Sequence, residues 1–252
     1  MQIIELPTIK NAFCGSKDVS TIGFRDIVLS ESEINSLKNF RTERYFFINE
    51  LRWRLLLQTN INFEGKVIFE PGAGVGDQTQ WLLKRGAAHI YVSDGRDVNV
   101  GLIRKRFNGD PRVTVLRGNL EWSLSESPFQ LQADVIFLWG VYYHIYDPAP
   151  EFPVLKQLSQ IAPLIVLDYL ESATGADYVE HYGYDNVSAS ISYSSLRPTE
   201  STMQSALHKI FGNVYLPVDQ MDWHDPAAPN TPRRIIIGSR DELRLKGVVR
   251  AL

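Results

Sequence analysis

Residues 67–76 read Val67-Ile68-Phe69-Glu70-Pro71-Gly72-Ala73-Gly74-Val75-Gly76 and run straight into Asp77-Gln78-Thr79. An apolar run, three glycines at alternate positions and then a helix-forming stretch describe a strand, a tight turn and a helix. Glycine allows the positive φ angles and the close backbone approach that a bound ligand needs in such a turn. The helix that follows presents unpaired N–H groups at its start. In an open α/β sheet, ligands gather at the carboxyl ends of the strands. The turn is therefore the first candidate binding site.

Further apolar runs lie at 89–93, 113–117, 133–138 and 163–169, in addition to 66–69. Their apolar residues are continuous and not alternating, as in strands buried on both faces. Helical segments at 78–85, 97–107 and 151–161 separate several of these strands, so right-handed crossovers and a parallel sheet follow. After a helix at 199–211, two strands at 213–217 and 233–239 flank the loop 218–232 with no helix between them, which implies an antiparallel pair. The expected fold is α/β: a Rossmann-like, seven-stranded, mostly parallel sheet with a C-terminal antiparallel hairpin and helices on both faces.

Residues 1–63 read as an irregular leader and a helical cap of the same domain. Ser30 and Glu33 form a capping box for a helix to about Phe40, and 42–58 places Ile48, Leu51 and Leu55 on one helical face. Residues 64–252 form the core. Within it, 171–197 is too long for an ordinary strand-to-helix connection and reads as a lid over substrate or a homodimer contact.

The chain has 252 residues, 44% hydrophobic and 22% charged, which excludes disorder as its main state. Lys and Arg total 26 against 29 Asp and Glu, a net charge of −3 that argues against nucleic acid as the main partner. Cys14 is the single cysteine, so no disulfide within the chain and no Cys-based metal cluster can form. The start lacks a basic segment followed by an apolar one, and the apolar stretch 135–143 is far short of the roughly 20 residues that span a bilayer. A cytoplasmic protein with no membrane partner is expected.

Two ligand classes compete for the glycine turn. A dinucleotide motif G-x-G-x-x-G would need its third glycine at position 77, where Asp77 stands, and both Asp77 and Glu70 would repel a pyrophosphate. A positively charged ligand suits them better, such as the sulfonium and amino group of S-adenosyl-L-methionine. Here the sequence resembles the class I S-adenosylmethionine-dependent methyltransferases, whose first motif is an apolar strand followed by Asp/Glu-x-Gly-x-Gly-x-Gly. The resemblance spans about residues 65–240 and implies that Glu70, Gly72, Gly74 and Gly76 bind this cofactor. Asp94, in Ser93-Asp94-Gly95, matches the acidic residue that holds the ribose hydroxyls, and Asn119 and Leu120 match the adenine contact, although Asp is commoner than Asn119 there. The fourth strand ends Leu138-Trp139-Gly140-Val141-Tyr142-Tyr143-His144, followed by Asp147-Pro148. That stretch resembles the G-V-L-x-H…D-P segment of small-molecule and tRNA-wobble-uridine methyltransferases, and it adds Trp139 to the cofactor set.

Methyl transfer from a sulfonium requires alignment of acceptor, methyl and sulfur, and removal of a proton where the acceptor carries one. Eight of the eleven tyrosines fall between 142 and 193. Tyr142, Tyr143, Tyr169, His181 and Tyr182 are the expected substrate contacts in an aromatic-lined pocket. His144 is the first candidate for general base and Glu171 the second, or an orienter of an amine. No N-P-P-Y or D-P-P-Y follows the fourth strand, no paired glutamates appear there, and Cys14 lies far from the catalytic strands. No Asp-Asn pair follows Tyr169, so no metal is expected. The acceptor is then an oxygen or nitrogen of a small metabolite.

Two alternatives stand beside this one. Arg104, Lys105 and Arg106 on one helix suggest a tRNA-modifying methyltransferase, unless they form a solvated face. A non-catalytic cofactor-fold partner protein is the other. Arg41, Arg44, Tyr45 and Arg52 either meet the methionine carboxylate or an acidic substrate, or face solvent.

Overall fold

The structure is a computed structural model that describes residues 23–24, 26–118, 120, 131–181, 194–219, 224–225 and 228–251, with side chains at 224–231 left aside. Two helices come first, α1 (Glu31–Asn39) and α2 (Glu43–Gln58). Alternation follows: β1 (Val67–Pro71), α3 (Asp77–Lys84), β2 (His89–Asp94), α4 (Asp97–Arg106), β3 (Val113–Arg117), β4 (Val135–Leu138), α5 (Pro153–Ile161) and β5 (Leu164–Leu170). The chain continues through β6 (Tyr178–His181), β7 (Ser194–Arg197), α6 (Glu200–Phe211), β8 (Asn213–Pro217), β9 (His224–Asp225), β10 (Ala228–Ser239) and β11 (Val248–Ala251).

The main sheet has the order β11-β8-β10-β5-β4-β1-β2-β3. Strands β1 to β5 pair in parallel, and β10 enters antiparallel between β5 and β8. The order reverses between β1, with β2 beside it, and β4, so the glycine turn after β1 stands at the switch point. The path holds eight strands where seven were expected. The addition is β11, which pairs with β8, and the two-residue β9 pairs with β10.

Side-chain alternation along each strand sorts the core into two layers. One gathers Leu55 and Leu56 of α2, Leu82 and Leu83 of α3 and Ile103 of α4 against Ile68, Phe137, Val166 and Ile235 of the sheet. The other packs Leu155 and Leu158 of α5 and Met203 and Leu207 of α6 against Ile136, Leu167, Tyr169 and Ile236. Asp168 lies between Leu167 and Tyr169 on β5, so it points to the α2 side.

The capping box on α1 is present: Ser30 Oγ accepts from the Glu33 N–H at 3.3 Å, and Glu33 Oε2 accepts from the Ser30 N–H at 2.7 Å. Lys105 Nζ donates to the same Glu33 Oε2 at 2.7 Å and joins α1 to α4. In α2 the buried residues include Asn49 and Arg52 beside Ile48, Leu55 and Leu56. A helix whose inner face carries an arginine needs an acid opposite it.

The described part of the 171–197 insertion is a separate two-stranded antiparallel sheet, β6 with β7, whose register runs from Tyr178↔Arg197 to His181↔Ser194. It rests on a 3₁₀ turn at Tyr142–His144, and the Leu196 N–H donates to the Ile145 carbonyl at 3.3 Å. Among the described residues no helix is long and apolar enough to cross a membrane.

Candidate functional site

Gly72, Gly74 and Gly76 have φ of 70°, 60° and 78°, the left-handed region that glycine reaches without strain. The turn they make is tied to the end of β2: the Ala73 N–H donates to the Ser93 carbonyl at 3.0 Å, and the Gly74 N–H donates to Asp94 Oδ2 at 2.9 Å. Asp94 Oδ1 accepts from the Arg96 N–H at 2.9 Å and from Asn99 Nδ2 at 3.1 Å. Burial raises the Asp94 pKa in spite of these donors. The turn is also closely packed, since a Cβ on Gly74 would lie 2.6 Å from the Phe40 ring and one on Gly72 2.4 Å from Val141 Cγ2. Gly74→Ala combines left-handed strain with this overlap and should cost about 2–4 kcal/mol, read as a lower urea midpoint.

Glu70 ends up fully inside. Its Oε2 accepts from Thr79 Oγ1 at 2.6 Å, while Oε1 is buried with no donor. Burial, only partly offset by Thr79 and Arg106, pushes its pKa up to about 8. Asp77 is enclosed by two cations, with Arg41 Nη1 at 2.8 Å and Arg106 Nη1 at 2.6 Å. Burial alone would raise Asp77, but Arg106 and Arg41 outweigh it and hold it below the ordinary carboxylate range. This corrects the electrostatic case against a phosphate ligand. Burial works against the Glu70 charge, and the Asp77 charge is already matched.

Sequence reasoning missed the second half of the site. Asp168 is completely buried, and its Oδ2 accepts from both Arg52 Nη1 at 2.7 Å and Arg233 Nη1 at 2.5 Å. Its Oδ1 accepts from the Gly140 N–H. Burial would raise this carboxyl, and Arg52, Arg233 and the Gly140 N–H together lower it. Arg52 also donates to Asn49, whose Oδ1 accepts from Gln78 Nε2 at 2.9 Å, and Gln78 Oε1 accepts from Trp53 Nε1 at 2.6 Å. One polar chain thus links the start of α3, just after the glycine turn, to β5 and β10. A charge inside the apolar run Leu164–Leu170 was the signal available in the sequence.

The 3₁₀ turn completes this side. Arg233 Cζ lies 4.5 Å from the Tyr143 ring centroid, and Arg197 Nη1 donates to the Tyr143 carbonyl at 2.8 Å. His144 is unprotonated: burial first, then Arg197, Arg233 and Arg96, lower its pKa to about 3 against the pull of Asp168. Its Nδ1 is buried without a partner. Trp139 is buried, stacks on Phe137 at 4.9 Å, and lies under the Arg52 guanidinium at 5.5 Å.

Two of the expected substrate contacts, Tyr142 and Tyr169, lie inside the fold. Tyr142 is 1% exposed and donates to Asp147 Oδ2 at 3.1 Å. Asp147 in turn accepts from the Val154 and Leu155 N–H groups at 2.9 and 3.1 Å and so caps α5. Tyr169 is 0% exposed and packs in the α5–α6 layer. Leu120 is buried in that same layer. Glu171 is held by Arg234 Nε at 2.7 Å, and His181 is exposed on β6, where its ring meets Ser194 Oγ at 2.9 Å. Asn119 and Tyr182 lie outside the described residues. Of the basic triplet, Lys105 and Arg106 are occupied by Glu33 and Asp77, and Arg104 stays at the surface. Arg41 and Arg52 are buried ion-pair partners, and Arg44 is exposed.

No protein-family model and no curated protein sequence matches the chain. Solved structures do. The N-terminal domain of EvdMO1 with SAH bound is 15% identical, with a TM-score of 0.56 over 79% of this chain and 84% of that one. The DhpI–SAH complex is 13% identical, with a TM-score of 0.53 over 81% and 91%. Magnesium protoporphyrin IX methyltransferase (ChlM) from Synechocystis PCC 6803 with bound SAH is 15% identical, with a TM-score of 0.52 over 94% and 100%. The strand order, the glycine turn at its switch point and these likenesses agree on one point: the chain has the fold of the S-adenosylmethionine-dependent methyltransferases.

Proposed function

We propose that the protein transfers a methyl group from S-adenosyl-L-methionine to an oxygen or nitrogen of a small metabolite, without a metal. The observation that carries this proposal is the glycine turn fastened to Asp94 at the switch point. The residues present fit the cofactor. Asp94, whose carboxylate already accepts three N–H groups, keeps room for a ribose hydroxyl, Glu70 Oε1 is a buried oxygen without a donor, and Trp139 Nε1 is a buried donor without an acceptor. The cofactor, when bound, supplies an electrophilic methyl on sulfur. The chain's part is to align the acceptor, exclude water and take up a proton where one is released. His144 is unprotonated in the neutral range and can accept one, although its surroundings make the imidazolium costly.

Calorimetric titration with S-adenosylhomocysteine, with NADH as control, tests this function. Micromolar binding is expected, and Asp94→Ala should weaken it by roughly tenfold to a hundredfold, since a charge-assisted hydrogen bond is worth roughly 1.5–3 kcal/mol. Binding of NADH alone would sink the proposal. For His144→Ala, turnover should fall by about 10²-fold while S-adenosylhomocysteine affinity is kept. Unchanged turnover would remove His144 from the proton path.

A further inference from the structure

We propose that the methyl acceptor is a small acid whose carboxylate or phosphate group binds beside Arg233 and Tyr143, at the outer side of the Arg52–Asp168–Arg233 cluster. The inference rests on the methyl-transfer function and names its substrate class. Its basis is charge. Arg52 and Arg233 share a single oxygen of Asp168, whose other oxygen is taken by the Gly140 N–H. Two guanidiniums therefore face one carboxylate, and both arginines are buried, at 3% and 5% exposure. An excess charge in such surroundings is costly unless an anion completes it.

The neighbouring groups do not supply that anion. Arg52 is otherwise met by the neutral Asn49 amide and the Trp139 ring, and Arg233 by the ring and hydroxyl of Tyr143. Arg197, on the other side of Tyr143, is matched by Glu180, and Arg234 by Glu171, so each of these acids is already engaged. The field at His144 agrees, with Arg197, Arg233 and Arg96 opposing its protonation against the pull of Asp168. Access is also present. Gly140, Val141, Tyr143 and His144 are each only partly buried, so the excess cation lies beneath a rim that solvent reaches. Gly140 stands against the Arg52 guanidinium and Val141 against Gly72, which puts this rim next to the glycine turn.

A carboxylate could also come from the amino-acid end of the cofactor, so the test separates the two sources. Thermal melts and calorimetry on the full chain, at constant ionic strength, would use inorganic phosphate and malonate as probes and malonamide as the neutral control. Each would be measured with and without saturating S-adenosylhomocysteine. The expected result is saturable stabilisation by phosphate or malonate that adds to that of S-adenosylhomocysteine, with none from malonamide. Arg233→Met, which leaves Arg52 and Asp168 as a one-to-one pair, should bind the anion roughly tenfold to a hundredfold more weakly and keep S-adenosylhomocysteine affinity. Arg233→Lys should retain part of the anion binding. Anion binding that disappears once S-adenosylhomocysteine saturates assigns the charge to the cofactor and overturns the proposal. So does equal stabilisation by malonamide, or no anion binding by the unaltered protein, whether or not Arg233→Met folds. If phosphate binds and S-adenosylhomocysteine does not, the methyl-transfer function fails and the acceptor proposal falls with it.

Discussion

Asp168→Ala should lower stability by about 3–5 kcal/mol, the cost of leaving buried charge without its partner. In a chain of this size that corresponds to a melting temperature lower by roughly 10 °C. Asp168 has no surface, and it is the shared acceptor for a helix residue, a late strand and the Gly140 N–H. Removing it leaves two guanidiniums and a backbone N–H facing one another. Asp168→Leu combined with Arg52→Met and Arg233→Met should recover most of the loss, because replacing a whole buried ion cluster by apolar residues is often neutral. A loss of less than about 1 kcal/mol of unfolding free energy for Asp168→Ala, from urea titration, would show that water reaches the cluster.

The second large effect is a dependence on pH set by Glu70. Its carboxyl releases a proton near 4.5 in an unfolded chain and is held protonated up to about 8 by burial in the fold. Between those values the folded state binds more protons than the unfolded one, so stability falls as pH rises. The contribution is complete below 4.5 and lost once pH passes about 8, and the full interval corresponds to about 3–5 kcal/mol. Urea midpoints measured at mildly acidic and mildly alkaline pH should show this slope, and Glu70→Gln should flatten it. A cationic amine bound at Oε1 would favour the ionised carboxylate, so S-adenosylhomocysteine affinity should rise over the same interval. An identical slope in Glu70→Gln would place the titration elsewhere.

The continuous apolar runs made β1 to β5 readable, and the glycine turn and the Ser30–Glu33 capping box were visible as local patterns. What local patterns could not carry is partnership across the chain. Asp168 meets Arg52 across 116 positions and Arg233 across 65, and no periodicity ties such residues together. Strand β11 has only the short run Val248–Ala251, and its strand character comes from the free edge of β8. The tyrosines show a different limit. A count between 142 and 193 marks an aromatic region but not its direction. Tyr169 follows the inward phase of β5, and Tyr142 is turned inward by the capping acid Asp147. Tyr143, one position on, stays at the rim against Arg233.

The insertion of β10 between β5 and β8 has a bearing on synthesis as well. During translation β5 is finished before Arg233–Ser239 leave the ribosome, yet those residues are its only cover on that side among the described residues. Until they arrive, the apolar stretch of β5 is an open edge able to recruit foreign strands. Asp168 already sits within that edge, and its Arg52 partner is made earlier in the chain. A buried acid and its first cation therefore punctuate the exposed strand while it waits, much as gatekeeper residues do in aggregation-prone segments.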